Sequence, residues 1–277
     1  MRNKKRFLSQ GLLHLANLAL LVIVMFPLLW MVSSSLKTPK ELFSSGINLI
    51  PKQFTWENYQ FVIENYDFFR WLLNSVATTL GIFVLQVFIA LMGSFALSYY
   101  QSRWNRVMFY FVIITMVIPF QVTMIPNYIL MSKMGLVNRW GAVILPYAAN
   151  ATTFFFLYQQ VRGIPKAYYE VARIEGASSL WSFRHVMIGL CKSSIAAVSI
   201  LTVIDAWNLY FWPLLVLSSS TSRTLTIALK AFADYEVGDN WGPFMATSTL
   251  TSLPVIIAYI FFQHHIIDAF VSSGIKG

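Results

Sequence analysis

Apolar residues run along this chain in long, nearly unbroken stretches rather than in the short alternations of a soluble fold. A helix that crosses a bilayer needs about 20 mostly apolar residues. Six stretches reach that length, at about residues 12–36, 74–99, 107–131, 142–161, 194–217 and 243–262. Their apolar cores hold one formal charge, Asp205. The pattern predicts an all-α integral membrane protein of six transmembrane helices, with residues 1–277 forming a single domain. The first stretch follows a basic lead of Arg2, Lys4, Lys5 and Arg6. Its apolar run is too long for a cleaved signal, so it reads as a retained anchor.

Prolines punctuate the stretches: Pro27, Pro119, Pro126, Pro146, Pro213 and Pro254. Each frees a backbone carbonyl, which lipid tolerates only where protein or a water-filled cavity compensates. They are either ordinary helix kinks or bending points along a translocation path.

Composition agrees with the pattern and narrows it. Hydrophobic residues make up 57% of the chain and charged residues 11%, where a soluble domain carries about 25% charged. A soluble enzyme, a disordered tail and a secreted disulfide scaffold are excluded. The net charge of +9 would suggest nucleic acid in a soluble protein, but here it sets orientation. With the N-terminus inside, the inner segments hold twelve Lys and Arg against three acids, and the outer loops eight against seven. The positive-inside rule therefore puts both termini in the cytoplasm. Cys191 is the single cysteine, so no intramolecular disulfide or cysteine metal cluster is available.

The inner segment at about 162–192 is the most informative part of the chain. Pro165 suits the first turn of a helix. A short amphipathic helix of about ten residues can follow and stop at Gly176, a natural left-handed position. Ala172 keeps one face small, and Tyr169, Arg173 and Glu175 offer aromatic and polar contacts. A helix this short is marginal alone in water, so it either docks on a partner or lies on the membrane surface without one. A second amphipathic stretch, from Leu180 to Val186, leads back to the membrane.

Glu170-Val-Ala172-Arg-Ile-Glu-Gly176-Ala177-Ser178 resembles the EAA motif of permease subunits in bacterial ABC importers, closest to the MalG-like carbohydrate-uptake branch. Ile164-Pro165-Lys166 fits the residues before that motif. The resemblance extends through Met124-Ile-Pro126, Leu145-Pro146-Tyr147, Trp207-Asn208, Phe211-Trp212-Pro213, Trp241-Gly242 and Leu253-Pro254. It departs at Ile188-Gly189, where the family often has Leu-Pro, and at Ser193, so the re-entry into the fifth span is expected to be shaped differently.

The resemblance implies the type I ABC importer permease fold with a cytoplasmic coupling helix, in a multi-pass protein of the bacterial cytoplasmic membrane. It implies a second, non-identical permease, two ATPase subunits, an extracytoplasmic solute-binding protein and a sugar substrate, with no nucleic acid partner. Glu170, Ala172, Arg173, Glu175, Gly176 and Ala177 would meet the ATPase. This chain would bind no cofactor itself, and ATP and Mg would belong to the ATPase subunits. The sequence has no Gly-x-x-x-x-Gly-Lys-Ser/Thr phosphate loop. It is therefore read as a non-enzyme.

Asp205 is a functional-site candidate because charges inside a membrane are costly. Asp205, Asn208 and Tyr210 lie along one stretch of the fifth span, and residues three apart share a helix face. They are candidates to contact sugar hydroxyls, although a structural hydrogen bond between helices would use the same groups. A sugar-phosphate or other polyol permease is the nearest rival, weakened by the lack of Lys and Arg in the span cores. A proton-coupled secondary transporter, with Asp205 as carrier, predicts inverted repeats that the sequence does not display.

Overall fold

A computed structural model describes residues 2–44, 48–100, 102–235 and 241–274, with the side chains of these apart from 2–9, 231–235 and 264–274. The side chains of the basic lead and the end of the chain at Lys276 lie outside the described residues. Among the described residues every regular element is helical. In chain order these are α1 (Arg2–Ser35), α2 (Pro39–Leu42), α3 (Glu57–Asn65), α4 (Phe68–Tyr99), α5 (Asn105–Thr115), α6 (Phe120–Lys133) and α7 (Trp140–Tyr147). There follow α8 (Ala151–Arg162), α9 (Lys166–Ile174), α10 (Ser179–Trp181), a π-helical segment (Ser182–Met187), α11 (Ile188–Trp207), α12 (Phe211–Val216), α13 (Leu225–Tyr235) and α14 (Trp241–Gly274).

Four helical stretches are long and apolar enough to cross a membrane unbroken: Gln10–Ser35, Phe68–Tyr99, Ser179–Trp207 and Trp241–Gln263. Two more arise if each bent pair is one span: α5 with α6 turns by 96°, and α7 with α8 by 47°. The first bend falls at Pro119, held extended at φ −62° and ψ 137°. Proline lacks the N–H that would continue the ladder, and it pushes the residue before it out of the α region. At the second bend Asn150 restarts the helix, its side chain accepting from the Thr153 amide at 3.0 Å, an N-cap that satisfies one orphan donor.

Residues 1–68 with 229–253 form one compact unit, and 69–228 with 254–277 another. In the first unit the apolar window of α1 is exposed along its length. The chain beyond α1 is organised by side chains. Buried Asn58 of α3 donates to the carbonyls of Ser35 at 2.9 Å and Lys37 at 2.8 Å. Gly242 lies so close to the Asn58 amide that a Cβ would collide with it. Lys37 is buried; its ammonium donates to the Asn48 carbonyl and lies 5.1 Å from the Trp30 ring centroid. The Glu41 carboxylate accepts from the Lys52 amide at 2.8 Å and the Gln53 amide at 3.3 Å. The Lys52 bond holds this carboxyl below its ordinary value. The segment between α1 and α4 is thus partly folded.

The second unit has two buried clusters. One gathers Leu91, Phe95, Leu157, Tyr169, Ala172 and Met187 around the C-terminal half of α4. The other gathers Ile82, Val143, Trp212, Val216, Leu217 and Ile227 nearer its N-terminal half. Hydrogen bonds reinforce the packing that holds apolar helices together in lipid. Gln86 Nε2 donates to Thr153 Oγ1 at 2.6 Å, and Trp212 Nε1 to the Ala142 carbonyl at 2.9 Å.

Candidate coupling surface and transmembrane path

The helix anticipated after Pro165 is present as α9, Lys166–Ile174. Its end is a Schellman motif. The Ala177 amide donates to the Ala172 carbonyl at 2.9 Å, and the Gly176 amide to the Arg173 carbonyl at 3.0 Å. Gly176 supplies the required left-handed residue, at φ 80°. A Cβ on Gly176 would meet nothing within 4 Å. Its need is therefore backbone conformation rather than space within the chain. Ser178 then caps α10, accepting from the Trp181 amide at 3.2 Å.

The two faces of α9 differ sharply. Tyr169 and Ala172 are buried in the first cluster, with Ala172 only 6% exposed. Ala172 was expected to admit an ATPase backbone; instead it lets α9 lie close to its own chain. Ala177 also packs, partly buried, against that cluster. The exposed face carries Tyr168, Val171 and Ile174, with Ile174 86% exposed. Glu170, Arg173 and Glu175 are exposed as well. This apolar triad lies outside the residues that the motif resemblance implies. Its three-residue spacing was the signal available.

Beneath α9 lies an aromatic group. Tyr169 meets Phe95 at 6.3 Å and Tyr99 at 5.4 Å between ring centroids, and Phe183 meets Phe95 at 5.3 Å. The Arg173 guanidinium carbon is 5.6 Å from the Tyr99 centroid, within cation–π range. Burial, with lesser contributions from Cys191 and Tyr99, pushes the Tyr169 hydroxyl up to about 12. Its oxygen is buried with no hydrogen-bond partner among the described residues. The chain re-enters the span through α10 and the π-helical segment, whose Ser182, Val186 and Met187 are buried. It continues into α11 through Ile188 and Gly189 without interruption.

The apolar stretch expected at 194–217 is not one continuous helix. Helix α11 ends at Trp207, and Asn208 caps it, with both its amide (3.1 Å) and its side chain (2.9 Å) donating to the Ile204 carbonyl. Tyr210 stands at the entry to α12 with φ −123° and ψ −61°. Asp205 is exposed near the end of α11. Only Asp205 of the three path candidates is inside a helix, so helical spacing does not put them on one face. The break is anchored nonetheless, since Thr226 Oγ1 donates to the Trp207 carbonyl at 3.0 Å. Among the described residues no group of three His, Cys, Asp or Glu side chains is arranged to hold a metal.

The described residues thus form a multi-pass helical membrane protein with bent spans and a short exposed helix between two of them. The same fold is found in the crystal structure of a bacterial ABC transporter involved in the import of the acidic polysaccharide alginate. The TM-score is 0.83 at 24% identity, over 92% of this chain and 97% of that one. Residues 79–270 match the family described as binding-protein-dependent transport system inner membrane component, and the chain belongs to that family. It is 34% identical, over the full length of both chains, to the arabinooligosaccharides transport system permease protein AraQ of Halalkalibacterium halodurans. It is 27% identical, over 98% of its length and 99% of the relative's, to the sn-glycerol-3-phosphate transport system permease protein UgpE of Brucella suis.

Proposed function

We propose that this chain is one permease subunit of an ATP-driven importer that moves an oligosaccharide across the bacterial cytoplasmic membrane by alternating access. The observation that carries the reading is α9, a helix outside the spans that buries one face on its own chain and leaves Tyr168, Val171 and Ile174 exposed. An exposed apolar patch rimmed by charge marks a contact with protein or membrane, and the motif resemblance assigns this one to the ATPase. Glu170, Arg173 and Glu175 supply the charged rim, Gly176 ends the helix, and Ala172 and Ala177 seat it. The twelve-to-eight distribution of basic residues supports a cytoplasmic position for this face and for both termini.

ATP and Mg bind in the two ATPase subunits. A second permease completes the path, and a solute-binding protein delivers sugar outside. Closure of the ATPase pair moves α9, and the spans attached to it switch from inward-open to outward-open, a two-state element biased by differential binding. Asp205, beside the break at Asn208 and Tyr210, contacts the substrate. The arabinooligosaccharide relative supports the sugar class.

The test is reconstitution of this chain with its partner permease, ATPase and binding protein in vesicles. ATP-dependent uptake of a labelled arabinooligosaccharide is expected. Uptake of glycerol 3-phosphate in its place would replace the substrate class, and uptake driven by a proton gradient without ATP would overturn the mechanism.

A further inference from the structure

A pocket of about 540 Å³ opens where three segments meet: the first turns of α4, the turn leading into α7, and residues 219–222. Its frame is fixed by side chains. Asn138, in the left-handed region at φ 64°, accepts on Oδ1 from the amides of Ser218 at 2.7 Å and Ser219 at 3.0 Å. Buried Asn74 donates to the carbonyls of Thr221 at 3.0 Å and Arg223 at 2.9 Å, and its Oδ1 accepts from Trp140 Nε1 at 2.9 Å. Trp71 Nε1 donates to the Ser220 carbonyl at 3.0 Å, and the Leu225 amide to Ser75 Oγ at 2.8 Å. The Ser-rich 218–222 stretch is therefore tied by hydrogen bonds to α4 and to the turn before α7.

On this frame stand two guanidinium groups, Arg70 and Arg139, both exposed. Among the described residues neither carries an ion pair, and the lining contains no carboxylate. A guanidinium fork suits a carboxylate, which it binds with two parallel hydrogen bonds, and two of them line this one pocket. The site is made from helix ends and turns, with Ser219, Thr221 and Ser222 of the hydrogen-bonded segment in its lining. We propose that it receives an aspartate or glutamate side chain of the solute-binding protein as that protein docks. This rests on the importer reading above, which puts the turn before α7 and the segment after α12 on the outer face.

The experiment uses the assembled complex in lipid nanodiscs and titrates the binding protein while ATP hydrolysis is followed. Arg70→Glu with Arg139→Glu is expected to raise the half-saturating concentration of binding protein by about tenfold or more, most strongly at low salt. Maximal stimulation should survive at saturation. Should that variant fail to assemble, Arg70→Gln with Arg139→Gln is expected to shift the titration the same way with a flatter salt dependence. An unchanged half-saturation in either variant overturns the proposal. So does unchanged docking with selective loss of uptake of a uronate-bearing oligosaccharide, which would make the pocket a substrate site. A wild-type complex that no binding protein stimulates would instead overturn the importer reading itself.

Discussion

The Tyr169 ring meets the Tyr99 ring nearly edge-on, at 81° with centroids 5.4 Å apart. Tyr99 in turn stacks on Phe95 at 4.7 Å. The short exposed helix α9 is thereby joined to the C-terminal end of α4 by contacts among rigid rings. Close-packed cores transmit displacement because they have little free volume to absorb it. Force applied to the outward face of α9 is therefore delivered to a long span, and several predictions concern that joint.

Tyr169→Ala should cost about 3 kcal/mol or more, as truncation of a buried aromatic does. ATP hydrolysis should then continue with little sugar uptake, because α9 loses its hold on α4. Tyr169→Phe should be neutral or slightly stabilising, since the hydroxyl has no partner to lose. The two variants differ at alkaline pH. The Tyr169 hydroxyl is raised from 10.0 to about 12 in the folded chain. Its contribution is intact below pH 10 and declines as pH rises from 10 toward 12, because the unfolded chain ionises first. Thermal unfolding in nanodiscs across that range should show a shallower alkaline decline for Tyr169→Phe than for wild type.

Gly176 tests backbone conformation separately from space. A Cβ there would meet nothing within 4 Å, so Gly176→Ala carries only the left-handed penalty of about 1 kcal/mol. Gly176→Asn should cost less, since Asn tolerates that region. Gly176→Pro cannot adopt φ 80°, so it should uncouple uptake while the protein still inserts. Uptake normal in all three would show that the Schellman stop has no part in coupling.

The outward face should behave in the opposite way to Tyr169. Ile174→Asp and Glu170→Lys alter exposed side chains, so stability should change by no more than about 0.5 kcal/mol. Association with the ATPase should weaken, with Ile174→Asp the stronger because it places charge in the apolar triad. Co-purification of the ATPase with each variant measures this. Full recovery with both would remove α9 as its docking surface.

The contrast between these faces explains what could be read from residues alone. Spans announce themselves by apolar length, and Pro165 and Gly176 bracket α9 through backbone preferences that operate locally. The direction Ala172 points is not local, because a small side chain suits either neighbour, and its own chain occupies that side. Nor do apolar runs disclose their breaks. Pro119 marks a weak point but not a 96° turn, and the interruption after Trp207 depends on Asn208 folding back onto Ile204. Asn74 and Asn138 were unremarkable in sequence because their partners lie far along the chain, at residues 140 and 218–223.

Asp205 separates a path role from a structural one. An ionised carboxylate at the centre of a spanning helix costs about 2.5–3.5 kcal/mol on insertion. Asp205 is exposed on α11, close to the point where that helix breaks. Asp205→Asn keeps the shape and removes the charge, so a complex that uses it only as a burden should assemble as well or better. If the carboxylate bonds a sugar hydroxyl, exchanging a charge-assisted hydrogen bond of about 1.5–3 kcal/mol for a neutral one of about 0.5–1.5 kcal/mol weakens uptake roughly 5- to 10-fold. The expected result is undiminished assembly with uptake reduced by that factor at limiting sugar. Reduced recovery of the second permease with normal uptake per assembled complex would assign Asp205 to the contact between subunits and remove it from the path.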